Sequence, residues 1–234
     1  MKQILTILFL LCALSANAQD KVVTGPKRKT LTSVSKPKQS QSSTSKSKTD
    51  KPVKISINTS QKVDLGLSVC WAGYNIGAET PEQDGDYYAW AEVSTKNNYH
   101  PDTCKDFFKT LGDISNNDSY DVASRFWGND WRLPTKSEME ELITKCNWEL
   151  FDYKGVPGYV ATRPNGRQIF FPICGIKSNA QHRDIGNNVE YWTSTQTDFT
   201  YSMAYSLCIW NKGKPQINTK DRHVGACIRA VCNK

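Results

Sequence analysis

Short runs of alternating apolar and polar residues dominate the chain after residue 60, and turn-forming residues separate them. This period of two is typical of half-buried strands in antiparallel sheets. The turn Pro164-Asn165-Gly166 joins two such runs, 158–163 and 167–172, and predicts a hairpin because Asn and Gly tolerate positive φ. A second turn, 211–213, follows a run that ends at Trp210. Further strands are predicted at 67–72, 87–90, 191–194, 202–210 and 225–231.

Helical periodicity is found in two segments. Thr135 and Glu138 have the T-x-x-E spacing of a capping box, and an apolar stripe with spacings of three and four follows them. The stripe consists of Met139, Leu142, Ile143 and Cys146. Upstream, Asp121 is a candidate N-cap for a short helix that ends at Gly128. The apolar residues of that helix are Val122, Ala123 and Phe126. Two short helices among antiparallel strands predict an α+β fold.

The first 18 residues have the pattern of a signal peptide. Lys2 supplies the positive end, residues 4–14 are apolar apart from Thr6, and Ala16-Asn17-Ala18 predicts cleavage before Gln19. The apolar stretch is far shorter than the roughly 20 residues that span a bilayer. We therefore expect export to the periplasm, the cell surface or the extracellular space, with no transmembrane span.

Residues 19–54 are predicted to form a disordered tether rich in Ser, Lys, Thr and Pro. Between residues 20 and 54 there are 10 Lys or Arg against 2 Asp, and few residues that build a core. Residues 55–234, the predicted globular domain, carry 19 basic and 21 acidic side chains. The net charge of +7 therefore belongs to the tether. The tether is interpreted as a solvated spacer or as an arm that holds the domain near an anionic envelope polymer.

Seven cysteines follow the predicted cleavage site, at positions 70, 104, 146, 174, 208, 227 and 232. Exported chains form disulfides, and an odd number leaves at least one thiol free or bound to a partner chain. The pairing stays open at this point. Cys227 and Cys232 are five positions apart, so in a strand they point to opposite faces and are not expected to bridge each other. With His223 they supply too few ligands for a closed zinc site.

Catalytic signatures are absent from the sequence, which has no G-x-S-x-G, H-E-x-x-H, P-loop or G-x-G-x-x-G motif. Three histidines, His100, His182 and His223, are widely separated in polar segments, and their spacing selects no Cys–His nucleophile pair. We therefore expect no catalytic residue, no cofactor and no enzymatic activity.

Two acidic segments are candidate cation sites. The segment 113–121 has oxygen-bearing side chains at alternate positions, but Asp118 stands where an EF-hand requires Gly and Ser124 where it requires Glu. The loop 79–86 is interpreted as a solvated turn; its acids are Glu79, Glu82, Asp84 and Asp86. No metal site is predicted.

Seven tryptophans follow residue 55, at positions 71, 90, 127, 131, 148, 192 and 210. The face of a tryptophan can stack on a sugar ring, but large aromatic side chains are mainly buried in domains of this size. We expect at most one or two of them to be exposed.

Ordered segments of this domain resemble the Fibrobacter succinogenes major paralogous domain family. They read GDYYAW at 85–90, WGNDWRLPT at 127–135, YWTST at 191–195 and GACIRAV at 225–231, with VDLGLSV at 63–69 in front. The residues that carry the resemblance are Gly85, Asp86, Tyr88, Trp90, Trp127, Gly128, Trp131, Arg132, Pro134, Thr135, Glu138, Tyr191, Trp192, Ser194, Gly225 and Arg229. The match spans about 62–232 and departs from the family at Ala91, where Gly is usual, and at Ala230, where Pro is usual.

The resemblance implies a C-type-lectin-like fold whose first and last strands pair and close the domain, in a protein exported to a bacterial envelope or surface. It supplies no activity and no ligand-binding residues. The calcium motifs of C-type lectins are not recognisable, and the segment 127–130 precedes the capped helix, whereas the lectin W-N-D segment lies late in its chain.

The leading interpretation is a ligand-binding or adhesion module for a glycan or a surface protein. One alternative is a structural envelope or matrix component crosslinked to a disulfide-linked partner through a spare cysteine. Another is an oxidase-like enzyme of related fold, because formylglycine-generating oxidases bind copper with a cysteine pair of the same spacing as Cys227 and Cys232.

Overall fold

The computed structural model describes residues 55–128 and 130–234. The predicted signal peptide, 1–18, and the predicted tether, 19–54, lie outside this range. Two helices occur within it, α1 at Val122–Trp127 and α2 at Lys136–Lys145, with a 3-10 turn at Pro101–Thr103. The strands are β1 Lys62–Val63, β2 Cys70–Ala72, β3 Trp131–Arg132, β4 Asn147–Tyr153, β5 Val156–Thr162, β6 Gln168–Pro172, β7 Ile176–Ser178, β8 Gln181–Arg183, β9 Asn188–Gln196, β10 Met203–Trp210, β11 Gln216–Asp221 and β12 Val231–Cys232. The α+β class is confirmed.

The strands form four antiparallel sheets in the described part of the chain. Their orders are β1-β2-β12-β3, β11-β10-β9, β4-β5-β6 and β7-β8. The last strand lies inside the first sheet, with Val231 opposite Trp71 on β2 and Cys232 opposite Cys70. Beyond the ladder, the amide of Ala72 donates to the carbonyl of Ala230 at 2.8 Å. The predicted pairing of the opening and closing strands is confirmed, and it gives β2 a neighbour on each side.

Of the predicted closing strand, 225–231, only Val231 lies in a regular strand, β12. Upstream of β12, the segment 225–230 is fully buried but changes its partner every one or two residues. Ala226 pairs with Tyr88, the carbonyl of Cys227 accepts from the amide of Trp192, and the carbonyl of Ile228 accepts from the amide of Ile76. No single neighbouring strand runs beside it, so no regular ladder forms.

Other strand predictions differ in the same way. The predicted strand 67–72 begins only at Cys70, and 87–90 forms no regular strand, because Tyr88 pairs with Ala226 while the amide of Trp90 donates to the carbonyl of Arg222. Strands β4 and β11 were not predicted, because they lie at sheet edges and expose many polar residues, which removes the alternation of apolar residues. The hairpin of β5 and β6 and the two-residue turn at Asn211 and Lys212 are confirmed.

Both helix caps are confirmed. Asp121 Oδ1 accepts hydrogen bonds from the amides of Ala123 and Ser124 and begins α1. Thr135 begins α2 with the predicted capping box: its hydroxyl accepts from the amide of Glu138, whose carboxylate accepts from the amide of Thr135 at 2.8 Å. Satisfying these otherwise unpaired amides fixes where each helix starts.

Replacing Thr135 by Ala should destabilise the domain by about 0.5–2 kcal/mol, because the amide of Glu138 loses its acceptor. Thr144→Ala is the matched control, since the same side chain is removed from an exposed position in the last turn of α2. Urea unfolding of both variants measures the difference. Equal stabilities of the two variants would contradict the role of the cap.

Aromatic residues and two arginines, Arg222 and Arg229, fill the core between the sheets. Trp71, Trp90 and Trp192 are fully buried, and Trp210 alone among the seven tryptophans is clearly exposed, as predicted. Arg229 is also fully buried, with its guanidinium 4.5 Å from the centre of the Phe171 ring. The core thus contains a cation held by aromatic faces and backbone carbonyls.

Candidate functional site

A surface cleft of about 280 Å³, here called the aromatic cleft, brings three of the family-signature residues together. It is lined by Ile76, Gly77, Asp86, Tyr88, Phe126 and Trp127. The lining combines two aromatic side chains at the surface with one exposed carboxylate. Concave sites with apolar walls and a few polar groups are where proteins usually bind small ligands.

The acidic wall of the aromatic cleft is a loop anchored at both ends. The amide of Asp86 donates to the carbonyl of Ile76 at 2.9 Å, and the amide of Tyr88 donates to the carbonyl of Ala226 at 3.0 Å. Gly77 has a φ of +81°, and a Cβ atom there would lie 2.5 Å from the carboxyl carbon of Asp86. Glycine is therefore required at this position, because any side chain would displace the carboxylate.

The aromatic wall is the last turn of α1. Trp127 ends the helix and Gly128, at φ 95°, turns the chain away. The ring of Trp127 makes edge contacts with Tyr74 and Trp131, with centroids 5.9 and 5.2 Å apart. Phe126 beside it is 59% exposed, although it is one of the apolar residues that predict α1. These contacts hold the half-buried Trp127 in place while one aromatic neighbour remains in solvent.

The polar groups of the aromatic cleft are arranged to accept hydrogen bonds. Burial, and then the charge of Asp86, raises the pKa of Tyr88, so its hydroxyl keeps its proton and donates to Asp86 Oδ2 at 3.2 Å. Asp86 Oδ1 accepts no hydrogen bond from the described residues. Asp86 is the one acid among the lining residues, and its free Oδ1 is able to accept a hydrogen bond from a hydroxyl group of a ligand.

The other signature residues have structural contacts. The indoles of Trp90 and Trp192 donate to the backbone carbonyls of Thr193 and Tyr88 at 2.8 Å. Arg132 forms a bidentate ion pair with Glu138. Four other signature residues also contact the protein interior. The hydroxyl of Ser194 donates to Asp113, and its amide donates to the carbonyl of Pro134. The hydroxyl of Tyr191 accepts from the side-chain amide of Asn75, and Gly225 packs on the ring of Tyr99. Gly85 has a φ of +71°, and a Cβ atom there would clash with the carbonyl oxygen of Ile76, so this glycine belongs to the loop that forms the acidic wall of the aromatic cleft.

Carboxylates in both acidic segments, 113–121 and 79–86, form hydrogen bonds or ion pairs with other groups of the protein. Asp121 caps α1 and also accepts from the amide of Leu133, and Asp113 accepts from Ser115 and Ser194. In the loop 79–86, Glu82 pairs with Lys154 at 2.7 Å. Within residues 55–128 and 130–234, no three His, Cys, Asp or Glu side chains converge as metal ligands.

All seven cysteines after residue 55 are buried as thiols. Cys232 faces Cys70 across the β2–β12 ladder, while the thiol of Cys227 neighbours Cys174 and donates to the carbonyl of Asp84 at 3.4 Å. Burial raises the pKa of Cys227 far above its usual range, and it raises the pKa of Cys104 and Cys146 to about 12. Since the thiolate is the reactive and metal-binding form, these environments oppose both roles.

Sequence reasoning missed Ile76, Gly77 and Phe126 as cleft residues. The available signal was the pair Phe126-Trp127 at the end of a short capped helix, two large aromatic residues side by side where one face of the helix cannot bury both.

No helix in the described residues has the length and apolar character needed to cross a bilayer. Comparison of the chain with protein-family models, with curated proteins and with solved structures finds no match.

Proposed function

We propose that this chain is an exported binding module that holds a glycan in the aromatic cleft. The observation that supports it best is the juxtaposition of the ring of Trp127 with the exposed carboxylate of Asp86. The C–H face of a sugar ring packs on an aromatic face, and the hydroxyl groups at its edge donate to a carboxylate. The paired first and last strands and the signature segments support the finer proposal, a C-type-lectin-like domain of the Fibrobacter succinogenes major paralogous domain family.

Replacing Trp127 by Ala should weaken glycan binding about 30-fold, because a well-packed Trp anchor contributes on the order of 2 kcal/mol to binding. The measurement is a glycan-array screen with the full chain, followed by titration of the best sugar. Asp86→Asn keeps the shape of an exposed side chain and should lower the glycan affinity about tenfold, because the hydrogen bonds to the sugar are then no longer charge-assisted.

The matched control is Trp210→Ala, which removes an exposed tryptophan at the end of β10, outside the lining of the cleft. Its affinity should equal that of the unmodified chain. Thermal unfolding of each variant separates loss of the cleft from loss of the fold. The proposal fails if no sugar in the array is retained, or if the Trp127 and Asp86 variants both bind as tightly as the Trp210 variant.

The alternatives have weaker support in the described residues. A surface protein as the ligand would be indicated by retention on envelope proteins with no response in the array. A crosslinked matrix component needs an accessible thiol, and even the most exposed cysteines, Cys104 and Cys146, are only 8% exposed. A copper oxidase built on Cys227 and Cys232 needs both thiols at one metal, whereas their neighbours are Cys174 and Cys70 respectively.

A further inference from the structure

A second concave site, here called the basic pocket, has the opposite chemistry. It has a volume of about 220 Å³ and lies between the loop 96–99 and the β7–β8 hairpin. Two backbone hydrogen bonds hold these elements together: the amide of Tyr99 donates to the carbonyl of Asn179 at 2.8 Å, and the reverse bond is 2.9 Å long. The pocket is therefore built on a fixed backbone frame.

Lys177 and His182 stand side by side in the basic pocket. They are register partners across the β7–β8 ladder, so their side chains project from the same face. Both contact the ring of Tyr87: Lys177 Nζ lies 4.8 Å from its centroid, and the imidazole packs edge to face at 4.8 Å. His182 Nε2 lies 2.8 Å from the carbonyl oxygen of Cys174, and a carbonyl only accepts, so Nε2 carries a proton.

Several hydrogen-bond donors of the basic pocket have no acceptor among the described residues. Lys96 Nζ donates to Glu92 and to the carbonyl of Thr103, each at 2.9 Å, which leaves the third of its N–H groups free. Lys177 Nζ has no hydrogen bond or ion pair with the described residues. The same holds for the side-chain amides of Asn97 and Asn179. None of the residues that line the pocket is acidic.

We propose that the basic pocket binds a small oxyanion, either the carboxylate of an acidic sugar or a phosphate group. The free ammonium of Lys177 would make charge-assisted hydrogen bonds to it, and the third N–H of Lys96 and the amides would complete its coordination. A cavity of about 220 Å³ has room for one such group with a single sugar ring or a few waters. This inference is independent of the proposed glycan cleft, since the two sites share no lining residue.

Glucuronate, inorganic phosphate and neutral glucose, titrated separately into the full chain by calorimetry, test the proposal. We expect glucuronate, phosphate or both to bind, and glucose to bind at least tenfold more weakly at this site. Binding of glucuronate alone identifies a sugar acid as the ligand, and binding of phosphate alone identifies a phosphate group. Lys177→Gln should lower the anion affinity about tenfold or more, the loss expected for a charge-assisted hydrogen bond.

Lys145→Gln is the matched control, because it removes the same charge from an exposed position at the end of α2. Its anion affinity should equal that of the unmodified chain. Trp127→Ala should leave anion binding unchanged as well, so failure of the glycan cleft and failure of the basic pocket are distinguishable. The proposal is overturned if neither anion binds, if glucose binds the Trp127→Ala variant, in which the aromatic cleft is disabled, as tightly as the anions do, or if Lys177→Gln retains full affinity in a folded protein.

Discussion

A chain that ends at Gly225 is expected to remain unfolded. The missing residues include β12, which lies between β2 and β3, so the first sheet separates into unpaired edges. They also include the fully buried segment 226–230, which binds backbone groups of Tyr88, Trp192, Ile76 and Ala72. Losing this buried surface removes more than the 5–15 kcal/mol of net stability that a domain usually has. Truncation should therefore abolish folding.

Circular dichroism and thermal unfolding of the truncated chain measure this result. We expect no cooperative transition and rapid proteolysis throughout residues 55–225. The control ends at Cys232, because Asn233 and Lys234 are exposed, and the hydrogen bond from Lys62 to Asn233 and the ion pair of Lys234 with Asp64 lie at the surface. It should unfold within a few degrees of the full chain. A cooperative transition in the chain that ends at Gly225 would show that the domain does not depend on residues 226–234.

Arg229→Ala should destabilise the domain by about 3–5 kcal/mol, the second largest effect we expect. The guanidinium donates from Nε to Asn75 Oδ1 at 2.8 Å, and from Nη1 and Nη2 to the carbonyls of Ala72 and Phe170 at 3.3 and 2.8 Å. Burial lowers the pKa of Arg229, because the charge is out of water, and these acceptors together with the Phe171 ring stabilise it. Alanine leaves three buried acceptors unpaired and a cavity behind.

Urea unfolding measures this loss, read as a shift of the transition midpoint at constant slope. Arg229→Met fills most of the volume without replacing the donors, so it separates packing from hydrogen bonding. Arg183→Ala, at an exposed position on β8, controls for removal of an arginine and should change stability by less than about 0.5 kcal/mol. A loss below about 1 kcal/mol for Arg229→Ala would show that the buried network is dispensable.

The aromatic cleft was only partly predictable. Asp86, Tyr88 and Trp127 were selected by their resemblance to a family, without any indication that they meet in space. Asp86 and Trp127 are 41 positions apart in sequence. Residues 226–232 hold the two elements near each other, because Ala226 pairs with Tyr88 and Cys232 with Trp131. The basic pocket had no sequence signal, because no motif surrounds Lys96 or Lys177, and only the pairing of Tyr99 with Asn179 brings their elements together.

The sequence by itself determined the features whose causes are local. Thr135 and Glu138 cap α2 through bonds within one turn, Asn165 and Gly166 turn a hairpin by their own backbone preferences, and the spacing of Met139 and Leu142 selects the buried face. The tertiary structure alone decided which backbone partners the segment 225–230 has, which acceptors bind the guanidinium of Arg229 and which exposed side chains line one cleft. These outcomes depend on contacts between distant segments, and the sum of many weak burial and hydrogen-bond energies selects them together, with no short motif recording the choice.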